Sequence, residues 1–304
     1  MRLASLTKSL IAISVWLLVF SLGVMAADLT FVSTQFRPIE EQQFFREDII
    51  QPFIDENGLN VNLIAEDYGP FFNRLQIEAR SGRNTIDVFG TLHGDFPSLL
   101  AEDFPVDLPA LTTLPDRTFI DEFVKLGQMD GKQVYVPWVQ ATYLMVANKK
   151  AMEYLPNGAD INALTYDELL VWAKNMHEAT GSAKFGLPAG PGGLFGRMLH
   201  GYLYPAFTGN QVQNFKSDDA VAMWEYLVEL FEYSHPSSFI YQAMADALLL
   251  EEVWVVWDHT ARVGPAIRET PDQFIAFPSP AGPYGRAFIT VLSGLGIHQG
   301  APNF

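Results

Sequence analysis

The stretch Gly131–Met152, GKQVYVPWVQATYLMVANKKAM, constrains the fold more than any other part of this sequence. Gln133–Val136 and Tyr143–Asn148 both read as short buried strands rich in Val, Tyr and Leu, with Pro137 set between them. A proline has no N–H for a sheet ladder and holds its own φ, so the two strands are not expected to lie in one uninterrupted sheet. The chain is predicted to change lobes here. The connecting residues Trp138, Gln140 and Thr142 are one flat aromatic and two neutral polar groups, which suit the lining of a cleft better than a dry core. An ordinary strand carrying an edge proline is the competing reading of the same residues.

Upstream, the pattern is strand, helix, strand, helix, strand. Leu29–Ser33 reads as the first strand, and Phe44, Phe45, Ile49, Ile50, Phe53 and Ile54 recur at helical spacing up to a stop at Asn57-Gly58. Val61–Ile64, a helix from Phe71 to Arg80 and Ile86–Phe89 follow. Such alternation predicts an open, mainly parallel sheet with helices on both faces, in which ligands sit beyond the carboxyl ends of the strands. Those ends carry Gln35, Phe36 and Arg37, then Tyr68 and Phe71, then His93 and Asp95.

Downstream, Thr165 with Glu168 forms a capping box for a helix that stops at Gly181. The glycine-rich loop Ala189–Gly196 follows a short strand, Phe185–Pro188. Its spacing fits neither G-x-G-x-x-G nor a P-loop, so Phe195 and Arg197 are read as ligand contacts on a flexible loop, with a plain turn as the alternative. Ser217 caps a helix with an apolar stripe of Val221, Trp224, Leu227, Val228 and Phe231. A helical run over Ser238–Glu252 leads to the strand Val253–Trp257 and then Asp258 and His259. Trp257 is expected to face the cleft.

Four segments taken in order resemble the extracellular solute-binding proteins of ABC importers, in particular the sugar-binding group that includes the maltodextrin-binding protein. They are the crossover from Asp130 to Lys150, the strand-loop-helix Asp87–Leu100, the strand and loop Val253–Arg262, and Phe288–Ile297, which looks like a second crossover. The chain departs from the family where a glycine usually precedes the third of these and Leu249–Glu252 stands instead. The resemblance implies a type II periplasmic-binding-protein fold, α/β and two-lobed. Each lobe would be an open mixed sheet flanked by helices, with lobe 1 at 27–139 rejoined by 293–304 and lobe 2 at 140–292. It also implies hinge closure on a ligand, a membrane permease as partner and a monomer. Family members usually continue for about a hundred further residues, so the chain is expected to lack a carboxyl-terminal part.

The remaining signals bound the function. Residues 1–26 combine Arg2 and Lys8, the apolar run Leu10–Val24 and a small-residue site at Ala26, which reads as a secretory signal peptide. An uncleaved anchor is the alternative. No cysteine is present, so disulfides, thiolate chemistry and a lipid-anchor cysteine are excluded and a free periplasmic protein is expected. A net charge of −16 argues against nucleic acid. Neither G-x-S-x-G nor H-E-x-x-H occurs, and the six histidines show no metal spacing, so no cofactor and no catalysis are expected. Asp95 with Asp258 is the one carboxylate pair a secreted glycosidase would use. A cleft lined by Phe36, Tyr68, Trp138, Phe195 and Trp257, with Gln35, Arg37, His93, Asp95, Gln140, Arg197, Asp258 and His259 as polar partners, suits a sugar: flat rings meet pyranose C–H faces and planar polar groups meet hydroxyls. A polyamine or a glycerol phosphate is the alternative ligand.

Overall fold

A computed structural model describes residues 28–36 and 39–303; the leader and Arg37 lie outside the described residues. Two compact units emerge, one running to Val139 and resumed at Leu292, the other Gln140–Val291.

In the first unit, β1 (Asp28–Ser33) pairs in parallel with β2 (Asn60–Ala65) and β3 (Val88–Leu92). A small hairpin of β4 (Gln128–Met129) and β5 (Lys132–Gln133) precedes β6 (Val136–Ala141). The second unit contributes β7 (Tyr143–Asn148), β8 (Phe185–Gly186), β9 (Val255–His259) and β10 (Phe274–Phe277). The chain then returns as β11 (Val291–Ile297), antiparallel to β3 with Ser293 opposite Leu92. The sheets run β2-β1-β3-β11-β6 and β10-β7-β9-β8.

Both faces of each sheet are covered, which is why the strands read as apolar runs rather than alternations. In β1, Phe31 packs with Ile50 and Leu63 on one face, while Val32 joins Phe71, Leu75, Phe89 and Phe96 on the other. In β9, Val255 and Trp257 enter the larger core of the second unit, whereas Val256 lies among Met244, Leu248 and Val263. Local signals set the helix ends. Gly58 and Gly82 close their helices at φ of 66° and 64°, a conformation costly for other residues. Thr165 Oγ1 accepts from the Glu168 N–H at 3.2 Å while Glu168 accepts from the Thr165 N–H at 2.8 Å, the reciprocal box read from sequence.

Several expectations need correction. Pro137 does not interrupt a strand: it lies inside β6, and the sheet changes between Ala141 and Tyr143. β6 is an edge strand, and an edge has one side without a ladder where a missing N–H is tolerated. Trp138 and Gln140 are accordingly strand residues, not linker. The run Ser238–Glu252 is mostly irregular, holding one short helix, Ala245–Leu249. On the helix Asp218–Glu232 the buried stripe is Ala220, Met223, Tyr226, Leu227 and Leu230, while Val221 and Val228 are exposed. That helix is apolar on more than one face, so spacing alone did not select the buried one. The segment Phe288–Thr290 precedes β11 rather than forming it.

Close packing at β11 supports a prediction. A Cβ on Gly294 would fall 2.3 Å from the ring of Tyr135, which is fully buried. Gly294→Ala is therefore expected to destabilise by about 1–3 kcal/mol through overpacking. A thermal melt within one degree of the parent would contradict this.

Candidate functional site

The first unit gathers its polar and aromatic groups just beyond the carboxyl ends of β1, β2 and β3. After β1, the Gln35 amide donates to Thr34 Oγ1 at 2.9 Å, and the ring of Phe36 lies 4.5 Å from Phe45 and 5.3 Å from Trp138. Trp138 rests edge-on against Phe31 at 5.5 Å and sits directly over Gly90 of β3, where a Cβ would fall 2.7 Å from the indole. Phe36, Phe45 and Trp138 all keep part of their surface exposed. Glycine at position 90 thus lets the indole approach the sheet closely, a contact the sequence did not announce.

After β2, Tyr68 opens the helix Tyr68–Ser81, stacks 5.7 Å from Phe72 and donates from its hydroxyl to the Asp95 carbonyl at 3.4 Å. After β3, His93 Nδ1 lies 2.9 Å from the Tyr135 hydroxyl. Burial lowers the His93 pKa, favouring a neutral ring, and pushes Tyr135 up to about 12. Asp95 accepts from Thr91 Oγ1 and from the Leu92 N–H, so its carboxylate organises its own loop. Phe71, expected at this rim, is instead fully buried in the core: the first turn of its helix points it inward.

In the second unit the corresponding rim lies where β9 ends opposite the start of β7, Tyr143 facing His259. Trp257 does not face outward. It is 0% exposed, stacks on Tyr143 at 4.8 Å and 5°, and donates from Nε1 to Ser279 Oγ at 3.1 Å. The strand register places it there: Val255, Trp257 and His259 share one face of β9, and that face is the core. Asp258, also 0% exposed, takes the other face, where it accepts the Met244 N–H at 2.8 Å and the His259 N–H at 2.7 Å. His259 Nδ1 accepts the Ala261 N–H, capping the helix Thr260–Glu269. Burial raises Asp258 to about 6 and, with the Arg262 charge adding to the effect, lowers His259 to about 4. These two side chains are committed to backbone donors, which leaves little for the ammonium of a polyamine or for the acid-base work of a glycosidase. Gln140 is exposed and donates only to the neighbouring Ala141 carbonyl.

Phe195 is half-buried against Phe231 at 5.6 Å, whereas Arg197 is exposed and lines a cavity of about 830 Å³. The walls of this cavity come from Gly193, Leu194, Gly196 and Arg197, from His200, Gly201 and Pro205, from Gln211 and from Arg286–Ile289. His200 and Arg286 stand in no motif, and Phe288 was missed in the sequence because FITVL reads as strand throughout. The proline- and glycine-rich run before it was the available signal that the chain was still in a loop. Among the described residues, no group of three His, Asp or Glu is placed to hold a metal ion.

The comparisons bear on what this arrangement is. The model of the family described as bacterial extracellular solute-binding protein matches residues 39–303. No curated protein matches the chain. Among solved structures, the GacH receptor of Streptomyces glaucescens, determined unliganded and with acarbose, superposes with a TM-score of 0.71 at 16% identity over 92% of this chain and 73% of its own. Maltose-bound MalE3 of T. maritima gives 0.71 at 20% identity over 91% and 74%. A solute-binding protein of an ABC transporter from Agrobacterium vitis with bound D-mannitol gives 0.69 at 15% over 91% and 70%. At such identities the likeness establishes the fold, the two-lobed periplasmic-binding-protein type with mixed sheets and flanking helices. With the family match spanning most of its length, the chain belongs to the bacterial extracellular solute-binding proteins.

Proposed function

We propose that this protein is the substrate-binding component of an ABC importer, capturing a saccharide in the periplasm after removal of its leader and delivering it, as a monomer and without catalysis, to a membrane permease. The observation that carries the reading is the cluster of Phe36, Phe45 and Trp138, partly exposed rings beside the carboxyl ends of β1 and β3. Aromatic faces of this kind pack on the C–H side of a pyranose, while Gln35, Tyr68 and His93 supply hydroxyl partners. The bound acarbose and maltose of two of the structures above support the same ligand class, and the D-mannitol of the third is a polyol. The chain passes between its units at Val139–Gln140 and again at Val291–Leu292. A ligand that engages both units would shift the population toward a closed state that a permease recognises.

At about −0.3 kcal/mol per heavy atom, a disaccharide of roughly 23 heavy atoms gains about −7 kcal/mol, a dissociation constant near 10 μM. Titrating the protein with saccharides and with polyamines while following tryptophan emission tests the reading. A saturable change with a saccharide is expected, weakened about tenfold by Trp138→Ala, equivalent to about 1.4 kcal/mol. A response to spermidine but to no saccharide would overturn it.

A further inference from the structure

From the cavity of the second unit we propose that the saccharide is anionic, a sugar bearing a carboxylate or a phosphate, its charge held by Arg197 and Arg286; this rests on the saccharide reading above. The twelve residues around the cavity include Arg197, His200 and Arg286 but neither an aspartate nor a glutamate. The chain as a whole has the opposite balance, with 35 acidic and 19 basic residues. Four basic side chains are paired with acids, Arg74 with Glu78, Lys132 with Asp103, Lys150 with Glu251 and Lys174 with Glu229. The two arginines of the cavity are not among them. Arg197 makes no side-chain hydrogen bond and no ion pair among the described residues, and Arg286 gives one hydrogen bond, from Nη2 to the Asn162 carbonyl at 2.9 Å.

The wall also provides what a sugar ring needs. Phe288 is 73% exposed at the cavity, an apolar face with no protein covering it. Ile289 presses so close to the helix that a Cβ on Gly201 would fall 2.1 Å from its Cδ1, and this contact anchors the segment bearing Arg286 and Phe288. Guanidinium groups pair with planar carboxylates and with phosphates through directed, charge-assisted bonds, and an acid-free lining adds no repulsion. The same lining disfavours a cationic ligand.

Calorimetric titration of the full chain compares glucose with glucuronate and glucose 6-phosphate, galactose with galacturonate and galactose 6-phosphate, and includes inorganic phosphate alone. At least one charged sugar is expected to bind tenfold or more tightly than its neutral twin, with the advantage shrinking as salt is added. The carboxylate and phosphate arms tell which anion is used. Arg197→Gln, a change at an exposed and unpaired side chain, is expected to remove tenfold or more of that advantage of the charged sugar over its neutral twin and to keep the parent melting temperature. Arg286→Gln should act in the same direction. Neutral sugars binding as tightly as their charged twins would overturn this inference while leaving the saccharide reading intact. A preference surviving both substitutions, or inorganic phosphate binding as tightly as any sugar, would also overturn it. Binding of no sugar of either kind would overturn both.

Discussion

Trp257→Ala is expected to cost about 3–5 kcal/mol of stability, a large share of the roughly 5–15 kcal/mol that holds a domain together. The indole has no exposed surface, and its removal deletes the stack on Tyr143, the edge contact with Tyr202 at 5.3 Å and the bond to Ser279. The surrounding residues come from several separate elements, so the hole cannot close by moving one of them. A drop in melting temperature on the order of 10 °C follows for a domain of this size, partly recovered by Trp257→Phe. The measurement also separates two roles. Were the ring a platform for ligand, the alanine variant would melt like the parent without ligand and lose binding; that result would refute its placement in the core.

The second large effect is a pair of opposed pH dependences at neighbouring positions. Asp258 has a folded pKa of about 6 against an ordinary value of 3.8, because burial disfavours the carboxylate more than the Met244 and His259 N–H groups restore it. Its folded form binds the proton more tightly, so its contribution is fully present below about pH 4 and is lost as pH rises through 6. His259 runs the other way, with a folded pKa of about 4 against 6.5. Its contribution is present above 6.5 and is lost as pH falls through 4. Each amounts to about 3 kcal/mol, and between pH 4 and 6 they nearly cancel in the parent protein. Single substitutions should expose them. Relative to the parent, His259→Asn, which keeps a side-chain oxygen for the helix cap, should gain about 3 kcal/mol as pH is lowered from 6.5 to 4. Asp258→Asn should gain a similar amount as pH is raised from 4 to 6. Urea midpoints at three pH values read both, and differences from the parent that stay constant with pH would disprove the assignment.

What could be read in the sequence follows from the range of the forces involved. The capping box at Thr165–Glu168 and the stops at Gly58, Gly82 and Gly181 depend on residues within a turn of one another, and each was legible. The placement of Gln35, Phe36, Tyr68, His93 and Asp95 beyond the carboxyl ends of β1, β2 and β3 followed from strand order alone, because parallel strands bring those ends to one edge. Facing was the weak point. Phe71 and Trp257 are aromatic residues near strand ends, as Trp138 is, yet the first two are buried and the third is partly exposed. A shift of one residue in a strand reverses the side a chain presents, and in β9 it is the face of Val255 and Trp257 that meets the larger core.

The sequence by itself determined the alternation of strands and helices, the helix caps and the family, since these rest on local preference and on the order of segments. The tertiary structure alone decided that Pro137 is harmless on an edge strand, that Gly90 makes room for Trp138 and Gly294 for Tyr135, and that Arg197 meets Arg286 and Phe288 around one cavity. Those outcomes depend on contacts between residues distant in the chain, and such contacts are set by close packing and register, for which no short window of sequence carries the information.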